Sequence, residues 1–337
     1  MSTASNKLLL GFLGGGVLLF AVALLVREDA AVDSVADVQH HGTSGVAHAK
    51  EDSAINSATT HAADSSASPS VLVRGDSLTL AQYDLEKPAQ HFKLPKRLRE
   101  ISGLARLDAN RLLAHDDERG VVCEIDPRTG AIVKAFALSD QRAPVADDFE
   151  GIAAAEGRLY LVSSAGRLYE FGEGADGETV LYNLYTTGIG RDCEIEGLAY
   201  DPDQRVLLLI SKNARNPQLA DHIAIYRWSL DTKQLVAAGP LLIPVAMLAA
   251  RIDRKQFQPS GIERHPRSGN YFVVAARQCA VAEITPQGQV RAVAKLAAKR
   301  HPQAEGIAFT ADHALVISDE GAGKRATLIF YPVAKAR

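Results

Sequence analysis

The chain has 337 residues, 47% of them hydrophobic and 23% charged, with a formal net charge of −3. That balance fits a globular protein with polar extensions and argues against nucleic-acid binding, which relies on a clustered basic surface. Cys123, Cys193 and Cys279 form an odd set without CxxC spacing, which argues against a zinc site or a disulfide framework. They leave either three unpaired thiols or one bridge and one free thiol.

Residues 1–29 read as a signal anchor. Leu8–Val26 is a run of nineteen residues without a charge. At about 1.5 Å per residue it nearly crosses a hydrocarbon core of about 30 Å. Arg27-Glu28-Asp29 ends the run. A single pass through the inner membrane is predicted, with Lys7 on the cytoplasmic side and the rest of the chain in the periplasm. Ala21-Val22-Ala23 inside the run leaves cleavage as the alternative. Residues 30–70 are mostly Ala, Ser, His, Asp and Thr, too poor in large apolar side chains to offset ordering entropy, and are predicted to form a disordered tether. His40, His41, His48 and His61 fall in it, read as solvated linker residues rather than as a weak metal site.

From residue 71 the chain is predicted to form one domain ending at Arg337. A glycine signature recurs five times: Glu100-Ile-Ser-Gly-Leu104, Asp148-Phe-Glu-Gly-Ile152, Glu194-Ile-Glu-Gly-Leu198, Gln258-Pro-Ser-Gly-Ile262 and Gln303-Ala-Glu-Gly-Ile307. The glycines are 48, 46, 64 and 45 residues apart, a propeller-like period with one expanded copy. After each signature come an apolar run (Arg111–Ala114, Leu159–Ser163, Val206–Ile210, Tyr271–Ala275, Ala314–Ile317) and a third strand (Val121–Ile125, Gly166–Phe171, Ile223–Trp228, Ala280–Ile284, Ala326–Tyr331). Fourth strands are predicted at Ala131–Leu138, Thr179–Tyr185, Leu235–Ile243 and Gln289–Leu296. Four strands per unit make a propeller blade. The fifth unit runs out without a fourth strand, while a spare stretch, Ser77–Leu94, precedes the first. Pairing the two closes a five-bladed ring and protects its sheet edges. Pro244–Phe257, in the expanded interval, reads as a short helix beside the glycine-signature loops, either a lid or a decoration.

The innermost strand of each blade lines the central channel. The residue before each glycine is Ser102, Glu150, Glu196, Ser260 or Glu305; two positions earlier stand Glu100, Asp148, Glu194, Gln258 and Gln303. Both rows share strand parity, and all ten side chains carry oxygen. Converging carboxylates must be protonated, paired or bound to a cation. Oxygen donors without His or Cys favour calcium over magnesium. Glu150, Glu196 and Glu305 are the expected ligands, Asp148 and Gln303 the next choices; the alternative is that the glutamates only tie blades together. The loops joining second to third strands form a polar rim at the same mouth, where Asp116, Lys212, Arg277 and Asp319 could meet an anionic or polar ligand. Arg264 and His265 read as turn decoration.

The ordered series Tyr83-Asp-Leu-Glu-Lys-Pro88, Ile101-Ser-Gly-Leu104, Phe149-Glu-Gly-Ile152, Ile195-Glu-Gly-Leu-Ala-Tyr200, Ser260-Gly-Ile-Glu263 and Pro302-Gln-Ala-Glu-Gly306 resembles the SdiA-regulated family of YjiK-like bacterial proteins. The resemblance covers about residues 80–335. It implies a membrane-anchored, all-β, NHL-like five-bladed propeller with a calcium site that would use Glu150, Glu196 and Glu305, with Glu263 as a further candidate. It implies no activity. Two functions are therefore expected in competition. One is a binding module that takes a protein or small polar ligand at the channel mouth. The other is a metal-dependent hydrolase of lactonase, esterase or phytase-like type, with no catalytic residue assignable from the sequence.

Overall fold

The computed structural model describes residues 78–140 and 143–334. The predicted membrane segment, the tether and its histidines lie outside the described residues. Among the described residues no helix is long and apolar enough to cross a membrane.

Five antiparallel sheets form five blades around one axis. The innermost strands are Ile101–Arg106, Phe149–Ala155, Cys193–Asp201, Gly261–Arg264 and Ala304–Phe309, and each contacts its two neighbours round the ring. The second strands are nearly continuous apolar runs because both of their faces are buried. In Val206–Ala214, for example, Leu207 and Leu209 face blade 2 while Val206, Leu208 and Ile210 face blade 4. The core accordingly divides into five apolar clusters, one at each interface between blades.

The ring closes as the spare strand predicted. Gln90–Lys93 pairs antiparallel with Thr327–Tyr331 and completes blade 5. Arg325 fastens the joint from the side, its Nε donating to the Leu94 carbonyl at 2.7 Å. Residues before this strand reach further, into blade 4. Leu80, Tyr83 and Leu85 are buried in the cluster between blades 4 and 5, and the Leu80 N–H donates to Glu283 Oε2 at 2.8 Å. The N-terminal segment therefore holds two blades at once.

Three predicted elements differ in detail. Thr179–Tyr185 is not one strand. Thr179–Val180 pairs in parallel with Ala131–Leu138 of blade 1, and only Tyr182–Thr186 belongs to blade 2. The outer edge of blade 1 has unpaired backbone groups, and the preceding loop docks on them through Gly177 N–H to Ala135 O and Ala137 N–H to Glu178 O. Leu235–Ile243 is likewise interrupted at Gly239, which has φ +75°; Gln234–Leu235 and Leu241–Pro244 pair with opposite ends of His222–Ser229. The expected helix is short, Val245–Ala249 and one 3-10 turn, Ala250–Ile252. Leu248, Ala249 and Ile252 are buried against the outer strands of blades 3 and 4, where Arg251 donates to the Arg291 carbonyl at 2.8 Å. The helix seals a side of the wheel and is not a lid over its mouth.

Removing residues 78–94 should leave Thr327–Tyr331 as an open edge and strip three core side chains from the cluster between blades 4 and 5. The expected outcome is a chain that aggregates or loses its cooperative thermal transition in calorimetry. A monomer with an unchanged melting temperature would refute the closure.

Candidate binding site at the propeller hub

The glycines of the signature are where neighbouring blades touch. A Cβ on Gly151 would lie 2.5 Å from the backbone nitrogen of Leu198 on the next blade, and one on Gly306 would lie 3.0 Å from Leu104 N. Any side chain there would force the innermost strands apart. In blades 1, 2, 3 and 5 the pairing with the second strand slips next to this glycine, for example between Phe149↔Ser163 and Gly151↔Val162. The residue before the glycine is thus the extra residue of a β-bulge, and bulges re-aim side chains. Ser102, Glu150 and Glu305, with the five signature glycines, line a narrow cavity on the axis.

Glu196 is buried, and its Oε2 takes an ion pair from Lys212 Nζ at 2.9 Å. Ser102 Oγ stands 3.4 Å from Glu150 Oε2. Burial, and then the charge of neighbouring Glu196, raise the Glu150 carboxyl well above the usual range. Burial raises Glu196 as well, against the pull of Lys212. Glu305 is pushed up to about 8 by burial and by Glu196, again opposed by Lys212. Burial works against the Lys212 ammonium, but Glu196, Glu305 and Glu150 outweigh it and the net shift is upward. Three acids share one ammonium, and protons supply the rest of the neutralisation.

Not every oxygen of the expected ring is free to bind. Ser260 Oγ donates to the Ala304 carbonyl of blade 5 at 2.6 Å and accepts from Ala276 N–H at 3.0 Å, so it is a tie between blades. The row two positions earlier stays above the hub cavity. Asp148 is exposed and accepts from Ser164 Oγ. Glu194 binds Arg215 and Asn213, Gln258 reaches Asn213, Gln303 donates to Glu320, and Glu100 pairs with Arg99. Equal parity therefore did not give equal depth, because the bulge separates the two rows.

The four expected rim residues fall in different places. Asp116 is half-buried and accepts from the Arg119 N–H at 2.9 Å; Arg277 is exposed. Lys212 leans into the hub instead of standing on the rim. Asp319 is buried, its Oδ2 held 2.7 Å from His301 Nδ1, while His301 Nε2 meets Tyr331 OH at 2.6 Å; this tie lies inside blade 5. Glu263 lines a separate cavity at the opposite end of the channel, because it follows its glycine rather than preceding it. The sequence reading missed Asp117, whose carboxyl is raised to about 6 by burial, with Glu100, Asp116 and Glu118 adding to the shift. All three cysteines are free thiols.

Calcium can be tested against this donor set. Among the described residues no three His, Cys, Asp or Glu side chains are grouped so that they could hold a metal ion. The ammonium of Lys212 already rests on Glu196. A dication bound by Glu196 would have to displace this ammonium.

No family model matches the chain, and no curated protein matches it. Solved structures do. Glutaminyl cyclase from Myxococcus xanthus is 15% identical with a TM-score of 0.51, over 74% of this chain and 97% of that one. A streptogramin B lyase is 10% identical with a TM-score of 0.39, over 72% of this chain and 97% of that one. The likeness to the glutaminyl cyclase bears on the fold alone, and it agrees with the all-β five-bladed propeller seen here.

The Glu305 shift carries a pH signature. Its folded-state value of about 8 lies above the ordinary 4.5, so the folded state holds this proton more tightly than the unfolded chain. The favourable contribution is complete below about pH 4.5 and is lost as pH rises through about 8. Glu305→Gln removes the ionisation, so its stability relative to wild type should rise between those limits in denaturant titrations. An unchanged difference across that window would show that Glu305 is not held in a buried acidic cluster.

Proposed function

We propose that the protein is a binding module whose acidic channel mouth takes a cationic group of a partner or small ligand, with Lys212 as the built-in counter-ion that such a group displaces. The observation that carries this is the charge imbalance at the hub, where buried Glu196 and half-buried Glu150 and Glu305 face one ammonium. Like charges in a partly dehydrated channel leave an unmet demand for positive charge. The mouth above adds Glu100, Asp117, Asp148 and Glu194 against Arg99 and Arg215.

Calcium, expected from the oxygen-rich ring, would use the same three glutamates and would have to push Lys212 aside. The metal-dependent hydrolase reading needs that displacement too, and stands or falls with it. Membership of the SdiA-regulated family and anchoring by residues 8–26, with the propeller in the periplasm, belong to the same proposal. Their support is the motif series and the uncharged run.

The test is a thermal-shift and calorimetric titration of wild type and Lys212→Met with calcium and with spermidine as probes. Both cations should bind Lys212→Met more tightly than wild type, and Glu196→Gln should weaken both. Failure of spermidine to bind Lys212→Met, or binding unaffected by Glu196→Gln, would overturn the proposal; failure of calcium alone would remove the calcium and hydrolase readings.

A further inference from the structure

The end of the channel away from the glutamates opens on a second cavity, of about 140 Å³. All five innermost strands, or the turns after them, contribute to its lining. Ala154, Phe309 and the ring of Tyr200 supply its apolar surface, and polar atoms make up somewhat more than half of the wall. The charged side chains converge from two blades: Arg106 at the end of the blade 1 strand, and Glu263 and Arg264 at the end of the blade 4 strand. A concave space in which a few charged groups converge beside apolar surface has the makings of a small-molecule site.

The three polar side chains are not equally available. Arg264 is committed, with Nε 3.1 Å from Asp201 Oδ1 and Nη2 on Asp203. Asp201 is in turn fixed by Tyr271 OH at 2.8 Å. Arg106 makes no hydrogen bond or ion pair among the described residues. Glu263 accepts one hydrogen bond, from the Arg264 N–H to Oε1 at 2.8 Å, and makes no ion pair. Tyr200 spends its hydroxyl on Glu156, at 2.8 Å, outside the cavity. An uncommitted guanidinium and a carboxyl with an unmet oxygen thus face one cavity with an apolar patch beside them.

We infer that this cavity binds a small carboxylate with a compact apolar body, its carboxylate on the Arg106 guanidinium and within hydrogen-bonding reach of Glu263, its body against Ala154, Tyr200 and Phe309. Guanidinium suits this role because its fork matches the two oxygens of a carboxylate. Glu263 fits the same ligand only as the neutral acid, which donates a proton to the anion instead of repelling it. Burial raises its carboxyl to about 8, against the pull of the Arg264 N–H and of the Arg106 and Arg264 guanidiniums. Those two arginines are the charged groups lining the space around it; blades 2 and 5 present alanine and phenylalanine, and blade 3 a committed tyrosine. A neutral acid beside a free guanidinium favours a simple carboxylate over an amino acid, whose ammonium would need Glu263 ionised.

The experiment is isothermal titration of the full chain with isocaproate, its neutral amide isocaproamide, and leucine, which adds an ammonium to the same skeleton. Isocaproate should bind about tenfold or more tightly than the amide, and Arg106→Gln should remove that advantage. Affinity should fall between about pH 6 and about pH 9.5 in wild type, as Glu263 loses its proton, and stay level in Glu263→Gln. Glu196→Gln, at the other mouth, should leave isocaproate binding unchanged, which separates this site from the hub proposal. Equal affinity for acid and amide, tighter binding of leucine than of isocaproate, no effect of Arg106→Gln, or no binding of isocaproate would each overturn the assignment.

Discussion

Backbone meets backbone at the hub of this wheel. Five innermost strands can converge on one axis only if the residue at the point of contact has no side chain, and a methyl group on Gly151 would stand 2.5 Å from a neighbouring backbone nitrogen. The glycine signature is thus a packing requirement before it is a functional one. It also sets the site, because the bulge beside the glycine directs the preceding side chain to the axis. Where that residue is Ser260, the outcome is a clamp between blades; where it is Glu150, Glu196 or Glu305, it is charge in a confined space.

Confinement then decides the chemistry. Three carboxylates brought together by packing cannot all ionise without a cation, and this chain supplies one of its own, from the strand next to the acids. A dication and an ammonium compete for the same oxygens, so a lysine at this position changes what the hub can accept. The sequence reading anticipated the demand for positive charge and named calcium for it. In the structure the Lys212 side chain meets part of that demand.

The fold was legible in the sequence for physical reasons that leave local marks. Close approach demands glycine, burial on both faces demands unbroken apolar runs, and a blade short of a strand leaves a spare strand elsewhere, here Gln90–Lys93. Side-chain destinations were less legible, because they depend on how far strands run. Val206–Ala214 continues past Ile210 and pairs Ala214 with Cys193, which carries Lys212 from the expected rim to Glu196. Leu315–Asp319 extends so that Asp319 pairs with Thr327 and is buried. Glu263 was grouped with the other acids by its motif, but two residues beyond the glycine the strand has already left the hub. Depth along a strand is set by pairing with its neighbours, and no single repeat reports it.

Hub packing forces Glu196 and Lys212 into a desolvated pair. A double-mutant cycle with Lys212→Met and Glu196→Gln, read by denaturant unfolding, measures how strongly the two are coupled. A desolvated pair should give a coupling energy well above the ~1 kcal/mol ceiling of exposed ion pairs. Single-mutant effects that add to within about 0.5 kcal/mol would mean that the two side chains do not form such a pair.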